Sequence, residues 1–216
     1  MSFRPHGKVR LLVLAGILLC ITTLVASASH TFNASWTQLF NEKDLSGWTK
    51  MGKEKWIVEE GVIHGEGITN AYGYLATEKS YSDFHLSLRF KCMASGNSGV
   101  YIHTQFKPGT TTIVQGRQVE IDRTIGRHTG GLYGDDAGWL VWPAPELETV
   151  IRPHDWNHLL IIVEGKRHIT RLNGVQMVDF TYPDIPTTEG RIALQLHSGG
   201  EGRMQFKDIW IRDLGE

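Results

Sequence analysis

The stretch Asn97-Ser98-Gly99-Val100-Tyr101-Ile102-His103 alternates apolar and polar residues with a period of two. This is the pattern by which a β-strand separates its two faces, with the aliphatic residues on one face and Tyr101 and His103 on the other. The segments Gln118-Val119-Glu120-Ile121-Asp122 and Gln195-Leu196-His197 alternate in the same way. If the three strands share a sheet, their ionisable and amide side chains form one polar surface. That surface is the predicted active site.

Short alternating or apolar runs recur along the rest of the chain, and helix signals are scarce. Glu60-Gly61, Glu164-Gly165 and Asn173-Gly174 lie between such runs, where tight hairpins need residues that tolerate positive φ. Many short strands with glycine-containing turns predict an all-β, single-domain sandwich or jelly roll of two antiparallel sheets. The predicted strands include residues 56–58, 84–90, 99–105, 118–122, 158–163, 175–180, 191–197 and 209–212.

The N-terminus has the organisation of a secretory signal peptide. Three basic residues precede an apolar run of 15 residues from Leu11 to Val25, and Ala26-Ser27-Ala28 is a small-x-small cleavage site. We therefore expect a signal peptide at 1–28, a short segment at 29–35 and the folded domain at 36–214, with export to the periplasm or the extracellular space. The run is short for a membrane span. An uncleaved N-terminal anchor is the alternative, and it is the only membrane contact that the sequence suggests.

Charge and cysteine content narrow the class of protein. The full chain has 22 basic and 23 acidic residues, and removal of the predicted signal peptide makes it more acidic. A weakly acidic chain without a basic tract gives no reason to expect nucleic acid as a partner. Cys92 would be the one cysteine left after cleavage, so the sequence predicts a fold held by its core rather than by disulfides.

Residues 123–154 interrupt the regular spacing of strands. The segment is rich in glycine and proline, and it also contains Tyr133, Trp139 and Trp142. Disordered segments are poor in aromatic residues, and long ordered loops often carry function. We therefore predict that this segment forms a lid or rim over the polar surface.

Several motifs, taken in order, resemble the 3-keto-disaccharide hydrolase domain family. The resemblance covers roughly residues 36–214. Its motifs are Phe40-Asn41-Glu42-Lys43-Asp44-Leu45-Ser46-Gly47-Trp48, Trp56-Ile57-Val58-Glu59-Glu60-Gly61, Asn97-Ser98-Gly99-Val100, residues 116–122, Gly130-Gly131-Leu132-Tyr133, Asp155-Trp156-Asn157, Leu172-Asn173-Gly174 and residues 190–197.

The resemblance implies a concanavalin-like jelly roll with the site on its concave sheet, export in bacteria, and action on glycosides whose sugar carries a ketone at C3. It also implies a separate sugar 3-oxidoreductase that makes such substrates. Two positions depart from the family pattern. His103 stands where the family often has Arg, and Leu196-His197-Ser198 stands where the family often has Asp-His-Gly.

We expect cleavage of the glycosidic bond of a 3-keto-glycoside, either by direct hydrolysis or by elimination across C1–C2 followed by hydration. A C3 ketone acidifies the C2 proton, so its removal gives an enediolate that can expel the C1 substituent, and water then adds to the unsaturated sugar. Such a site needs a base near C2, a donor for the enolate oxygen and an acid for the leaving oxygen. We expect His197 or Glu120 as the base. His103 would donate to the ketone or leaving group, and Asp122 would orient a histidine or bind a metal. The predicted substrate-binding residues are Tyr101, Arg117, Gln118, Gln195, Tyr133, Trp139 and Trp142.

Other interpretations stay open at this stage. A divalent cation would fit two carboxylates and two histidines, although no histidine spacing requires one and the metal is unassigned. His197 could be a structural histidine, and Glu120 with Asp122 could be a solvated sheet face. The alternative function is a non-catalytic, lectin-like carbohydrate-binding module. A retaining glycosidase with paired carboxylates is disfavoured, because Arg123-Thr124-Ile125 follows Asp122 instead of a second acidic pattern.

Overall fold

A computed structural model describes residues 35–94, 97–184 and 187–215. Within these ranges it contains 15 β-strands and one 3₁₀ helix, Leu147–Val150, and no α-helix. The strands in chain order are β1 (Thr37–Gln38), β2 (Trp48–Met51), β3 (Lys55–Glu59), β4 (Val62–Glu66), β5 (Gly73–Tyr81), β6 (Phe84–Cys92), β7 (Ser98–Phe106), β8 (Ile113–Ile121), β9 (Leu132–Gly134), β10 (Gly138–Val141), β11 (Asn157–Glu164), β12 (Arg167–Leu172), β13 (Val175–Thr181), β14 (Gly190–Leu196) and β15 (Arg203–Asp213).

The strands form two antiparallel sheets. The eight-stranded sheet has the order β13-β12-β11-β6-β15-β4-β3, with β1 also paired to β15. The seven-stranded sheet has the order β10-β9-β8-β7-β14-β5-β2. The predicted all-β sandwich of two antiparallel sheets is confirmed.

The core lies between the sheets and follows the alternation that the sequence predicts. On the seven-stranded sheet, Val100, Val119, Ile121 and Leu194 are completely buried. The eight-stranded sheet contributes residues of β6, β11 and β15 to the same apolar cluster. Because side chains alternate along a strand, the residues between these aliphatic positions face away from the core. This arrangement places the polar residues of β7, β8 and β14 on the outer face of the seven-stranded sheet.

Two of the three predicted hairpin turns have the expected backbone. Glu60 and Gly61 have φ values of 50° and 75°, and Asn173 and Gly174 have values of 50° and 90°. Both pairs therefore adopt the positive φ values of tight two-residue hairpins. The third turn is shifted by one residue, because Glu164 still pairs with Arg167 and the turn consists of Gly165 and Lys166.

Residues 123–154, which the sequence predicts as a loop that forms a lid or rim, contain regular secondary structure. They contribute β9 and β10, which extend the seven-stranded sheet beyond β8, followed by the 3₁₀ helix. The two strands are only three and four residues long and are bounded by glycine, so their alternation is too short to detect in the sequence. The segment does border the cleft described below, because Trp139 of β10 is one of the residues that line it.

The predicted signal peptide and the segment up to residue 34 lie outside the described residues. Among the residues that are described, no helix is long and apolar enough to cross a membrane. Cys92 is a buried, free cysteine, and burial raises the pKa of its thiol to about 12.

Candidate active site

A cleft opens on the outer face of the seven-stranded sheet. Its volume is about 470 Å³, within the range of small-molecule sites. Four strands of this sheet form its floor, and loops before β5 and between β7 and β8 form its sides. The residues that line this central cleft are Tyr72, Tyr74, Asn97, Tyr101, Thr111, Thr112, Ile113, Gln118, Glu120, Tyr133, Asp135, Trp139, Gln195 and His197.

A second cavity of about 570 Å³ adjoins the central cleft. The two share Asn97, Glu120, Trp139 and His197, so these four residues stand at the junction. The adjoining lobe is more polar, and its own lining residues come from the segment after β8. They are Asp122, Arg123, Thr124, Gly126, Arg127 and His128.

Glu120 is the buried carboxyl group of the site. Its side chain is 2% exposed, and both of its oxygens accept hydrogen bonds from amides. Asn97 Nδ2 donates to Oε1 at 2.6 Å, and Gln118 Nε2 donates to Oε2 at 2.5 Å. Burial, together with the nearby charge of Asp122, raises the pKa of Glu120 to about 9 despite the two donors. At neutral pH Glu120 is therefore a carboxylic acid.

Each residue of the Asn97-Ser98-Gly99 motif supports this environment. Asn97 donates to Glu120, and Ser98 Oγ donates to the backbone carbonyl of Gln195 at 2.7 Å, which ties β7 to β14. Gly99 pairs directly with Glu120 across the β7–β8 ladder. A Cβ atom at Gly99 would come within 2.7 Å of Gln118 Cγ and 2.8 Å of its Nε2. The glycine therefore leaves space for the amide that binds Glu120.

His197 follows β14 directly and has a defined tautomer. Its Nδ1 lies 3.1 Å from the backbone carbonyl of Ser198, which can only accept a hydrogen bond, so Nδ1 carries the proton. Its Nε2 is then an acceptor, and the Tyr72 hydroxyl donates to it at 3.2 Å. The Tyr72 ring also contacts the imidazole edge to face, with centroids 4.8 Å apart. The basic nitrogen of His197 thus faces the cleft.

Three tyrosines and a glutamine complete the lining of the cleft. Tyr74 packs edge to face on Tyr101 and stacks against Tyr72. Burial raises the pKa of both Tyr74 and Tyr101 above the ordinary tyrosine value, so both remain phenols that can donate hydrogen bonds. Gln195 is 1% exposed, and its Oε1 has no hydrogen-bond partner among the described residues. A buried amide oxygen without a partner costs stability unless a ligand or water binds it.

An aromatic cluster borders the adjoining lobe. The imidazole of His128 contacts Trp139 and Trp142, with centroid distances of 4.7 and 5.3 Å, and Tyr133 packs on Trp139 at 5.5 Å. The fully buried Glu148, from the 3₁₀ helix, accepts hydrogen bonds from the backbone amides of Gly126 and His128. This carboxylate holds the loop that forms the wall of the lobe.

Most of the predicted site residues come together. Seven of them line the central cleft, and Asp122 lines the adjoining lobe, where its Oδ1 accepts a hydrogen bond from the Thr124 amide at 2.8 Å. The seven are Tyr101, Gln118, Glu120, Tyr133, Trp139, Gln195 and His197.

His103 lies elsewhere. It has a φ of 51° at a bulge in β7, where the register against β8 shifts between Ile102 and Gln105. The bulge breaks the alternation and turns His103 into the core, where its Nε2 donates to the backbone carbonyl of Ser82 at 2.7 Å. The expectation that His103 donates to the substrate is corrected, because the ring is completely buried on the opposite side of the sheet.

Arg117 and Trp142 are also outside the cleft. Arg117 pairs with Ile102 across the ladder and so faces the core side, where it forms a salt bridge with Asp136 at 2.9 Å. Strict alternation from Gln118 predicts this orientation, so the substrate-binding role assigned to Arg117 is corrected. Trp142 packs against His128 and Trp139 in the aromatic cluster, and it lines neither of the two cavities.

Some residues of the site were not predicted. Asn97 was in the quoted motif but had no role, and Tyr72, Tyr74 and Asp135 were not singled out. Tyr72 and Tyr74 surround Gly73 at the start of β5, a strand that the sequence pattern did not reveal. Asp135 lies in the β9–β10 turn within hydrogen-bond range of Tyr101, at 3.5 Å, and burial raises the pKa of its carboxyl group.

A bound cation has no evident ligand set in the part of the chain that the structure describes. There, no group of three or more His, Cys, Asp or Glu side chains is close enough to hold a metal ion. The cleft contains a neutral carboxyl group, an imidazole with an acceptor nitrogen and two phenols, and these groups are suited to proton transfer and hydrogen bonding.

Several solved structures are similar to this chain. A protein of Parabacteroides distasonis named as a candidate glycosyl hydrolase is 25% identical, with a TM-score of 0.65, over 83% of this chain and 94% of that chain. The carbohydrate-binding module CBM66 of Bacillus subtilis is 16% identical, with a TM-score of 0.58, over 77% and 96%. A Bacillus subtilis protein of unknown function with a galectin-like fold is 10% identical, with a TM-score of 0.62, over 83% and 94%. The last two likenesses concern the fold alone.

Sequence comparisons define the family. No match is found among curated proteins. A family model described as the 3-keto-alpha-glucoside-1,2-lyase-like domain matches residues 35–212, nearly the whole of the described fold. The resemblance inferred from the ordered motifs is thereby confirmed, and the chain belongs to the family of 3-keto-alpha-glucoside-1,2-lyase-like domains.

Proposed function

We propose that this protein cleaves the glycosidic bond of 3-keto-glycosides, by elimination across C1–C2 followed by hydration. The observation that carries the proposal is that a proton donor and a proton acceptor, Glu120 and His197, line the same cleft. Glu120 is a protonated carboxyl group, and His197 is an imidazole whose Nε2 accepts a proton. Elimination needs these two partners, an acid for the leaving oxygen and a base for the carbon-bound proton.

In the first step, His197 Nε2 removes the proton from C2, which the neighbouring ketone has acidified. The electron pair forms an enediolate and then the C1=C2 double bond as the C1–O bond breaks. Glu120 donates its proton to the departing oxygen, so the aglycone leaves as a neutral alcohol. The cleft then holds an imidazolium and a carboxylate together with the unsaturated keto-sugar.

In the second step, water adds to the double bond. The Glu120 carboxylate accepts a proton from the water that attacks C1, and the His197 imidazolium returns a proton to C2. Both groups regain their starting proton states, so the two steps together amount to hydrolysis. The roles of acid and base are exchanged between the steps, as microscopic reversibility requires.

The enediolate oxygen requires hydrogen-bond donors within the cleft. Tyr74 and Tyr101 are suited to this role because both stay protonated and both line the floor. The amide of Gln195 has free hydrogen-bonding capacity for a sugar hydroxyl. Trp139 and Tyr133 supply apolar surface against which a sugar ring can pack.

Two further points support a carbohydrate substrate. The family description names a 3-keto-α-glucoside, and a similar solved structure bears the name of a glycosyl hydrolase.

We propose that the protein is exported to the periplasm or the extracellular space and that a separate sugar 3-oxidoreductase supplies its substrate. The proposal of export rests on the N-terminal sequence, and the proposal of an oxidoreductase rests on the ketone that the substrate must carry.

The direct test is a product assay with the purified protein on a 3-keto-α-glucoside and on its unoxidised parent. We expect aglycone release from the keto-sugar and none from the parent, because the parent lacks an acidic C2 proton. Equal release from both compounds would contradict the proposal. A parallel assay with EDTA measures whether a divalent cation takes part.

The alternative function is a non-catalytic carbohydrate-binding module, which the likeness to CBM66 and the half-exposed Trp139 favour. Isothermal titration with the keto-sugar separates the two functions when combined with the product assay. Binding without aglycone release, unaffected by Glu120→Gln, would support the module and overturn the enzyme.

A further inference from the structure

A third cavity opens directly beside the central cleft. This side groove has a volume of about 800 Å³ and shares Tyr72 and Thr111 with the cleft. Three chain segments form it, the end of β2 with the turn after it (residues 50–53), the loop before β5 (residues 69–72) and the turn between β7 and β8 (residues 109–111). A ligand that fills the cleft can therefore extend past Tyr72 into the groove.

The walls of the groove are held in place by hydrogen bonds. The buried carboxylate of Glu54 accepts hydrogen bonds from the backbone amides of Ile68 and Thr69 and from the Thr69 hydroxyl. Thr69 Oγ1 in turn accepts from the Ala71 amide at 3.1 Å. On the opposite side, the Thr110 hydroxyl bonds within its own turn, to the carbonyl of Lys107 and the amide of Thr112. The groove thus has defined walls before any ligand binds.

The charge of the groove differs from that of the cleft. Lys50 and Lys53 line it, and neither forms an ion pair with any of the described residues. No carboxylate is among the described residues that line it, since Glu54 faces the loop amides. The central cleft, in contrast, contains Glu120 and Asp135. Of the central cleft and the side groove, only the side groove has lysine or arginine side chains among its described lining residues.

The remaining lining groups suit an organic substituent rather than a free ion. Met51 and the Tyr72 ring offer apolar surface, and Thr69, Asn70 and Thr110 offer hydrogen-bonding groups. A volume of this size accommodates a sugar or an aromatic ring. Hydroxyl groups and apolar faces in this mixture match an aglycone more closely than they match inorganic phosphate alone.

We propose that the side groove is the subsite for the leaving group of the substrate, and that it favours an aglycone or second sugar bearing an anionic group. This inference rests on the proposed function, because it takes the scissile bond to lie at Glu120 and His197. The anionic group binds beside Lys50 and Lys53, while the keto-sugar occupies the central cleft. The two lysines determine specificity and take no part in bond cleavage.

The test uses a pair of substrates that are similar in size and shape but differ in charge, the 4-carboxyphenyl and 4-carbamoylphenyl 3-keto-α-glucosides. For the unaltered protein we expect a KM about fivefold lower for the carboxylate, a size typical of exposed charge pairs. In the double variant Lys50→Met/Lys53→Met, the KM of the carboxylate should rise to that of the carbamoyl compound, with kcat for both unchanged. Lys43→Met, an exposed lysine outside the groove, is the matched control.

Equal KM values for the two substrates in the unaltered protein would overturn the subsite while leaving the proposed function intact. If neither compound releases its aglycone, the proposed function fails, and equilibrium binding of the same two compounds decides the subsite. A preference for the carboxylate that disappears in the double variant would then support it. Equal dissociation constants would overturn it.

Discussion

At the scale of the residue, the site depends on a protonated carboxyl group, Glu120, and on the imidazole of His197, whose tautomer is set by its hydrogen bonds. Glu120 is removed from water beside the charge of Asp122, so its pKa rises to about 9. His197 Nδ1 donates a hydrogen bond to the Ser198 carbonyl, so Nε2 is the acceptor nitrogen, and its partner in the cleft is the Tyr72 hydroxyl. A carboxyl group with a raised pKa beside a hydrogen-bond-accepting imidazole suits acid–base catalysis at neutral pH.

Glu120→Gln should separate activity from stability. The buried carboxyl group must take up a proton on folding at pH 7, which costs free energy that a neutral amide does not require. Asn97 can rotate its amide to accept a hydrogen bond from the new side chain. We expect the free energy of unfolding to rise on the order of 2 kcal/mol at pH 7, with aglycone release reduced at least a hundredfold. Urea denaturation and the product assay measure the two effects.

The control for this variant is Glu59→Gln, which changes an exposed carboxylate on the other sheet. It should leave activity unchanged and stability within about 0.5 kcal/mol. A Glu120→Gln protein that is less stable at pH 7 than the unaltered one would show that Glu120 folds as a carboxylate, contrary to the account.

Period-two alternation predicted which residues of β8 and β14 reach the cleft, and it failed at His103. The failure has a local cause, since the extra residue of a bulge reverses the faces beyond it. No sequence signal marks the bulge, because a histidine rather than a glycine adopts the positive φ. The contribution of Tyr72 was equally hidden, because it depends on β5 lying beside β14.

At the scale of the element, the β7–β8 pair organises the cleft. Its register places Gly99 opposite Glu120 and Tyr101 opposite Gln118, all on the outer face. The Asn97-Ser98-Gly99 motif was recognisable as the start of a strand and as a family motif. The reason for its glycine appears only once the partner strand is known, since Gly99 lies against the side chain of Gln118.

Gly99→Ala tests this arrangement. The added methyl group would displace the Gln118 amide and remove one hydrogen bond from Glu120. We expect kcat/KM to fall about tenfold or more, while the free energy of unfolding changes by roughly 1 kcal/mol, because a side chain can move where a backbone cannot. Steady-state kinetics and thermal unfolding measure the two quantities.

Gly202→Ala is the matched control, since a Cβ there would meet Leu196 at an ordinary distance of 3.5 Å. This variant should retain full activity. If Gly99→Ala is as active as Gly202→Ala, the position of the Gln118 amide does not matter for catalysis.

At the scale of the whole molecule, a polar cluster lies between the sheets. His103 and His168 are completely buried with ring centroids 5.7 Å apart, and Tyr182 packs on His168 at 4.8 Å. Neither ring nitrogen of His168 has a hydrogen-bond partner among the described residues. Burial lowers the pKa of His168 to about 3, and burial also lowers the pKa of His103. Both residues fold as neutral imidazoles.

The cluster should make the fold sensitive to acid. A histidine with a lowered pKa contributes stability that is fully present above its unfolded pKa, near 6.5, and is lost as the pH falls. His168 alone should cost about 2 kcal/mol between pH 6.5 and pH 5. Glu120 opposes this trend because its pKa is raised, so the effect is measured by denaturation in the Glu120→Gln background. In that background, His168→Leu should reduce the loss of unfolding free energy between pH 6.5 and pH 5. An unchanged dependence of this free energy on pH would show that His168 is not the buried group that takes up a proton.

The class of fold was predictable because two-residue alternation, glycine-containing turns and the order of the family motifs all agree. The sequence does not reveal the strand order, since neighbours such as β14 and β5 are far apart in the chain. It does not reveal β9 and β10 either, because their pairing partner, rather than their own pattern, makes them strands. The sequence pattern therefore assigned His103 to the site and gave His168 no role, because alternation within one strand carries no information about contacts with the other sheet.

The central claim is that His197 removes the C2 proton while Glu120 protonates the leaving group. The measurement that tests it most directly is the incorporation of deuterium at C2 of a 3-keto-α-glucoside in D₂O, followed by NMR together with aglycone release. We predict that Glu120→Gln exchanges the C2 proton with little release of aglycone, that His197→Ala does neither, and that His85→Ala on the other sheet behaves like the unaltered protein. Aglycone release by His197→Ala at the rate of the unaltered protein would contradict the account.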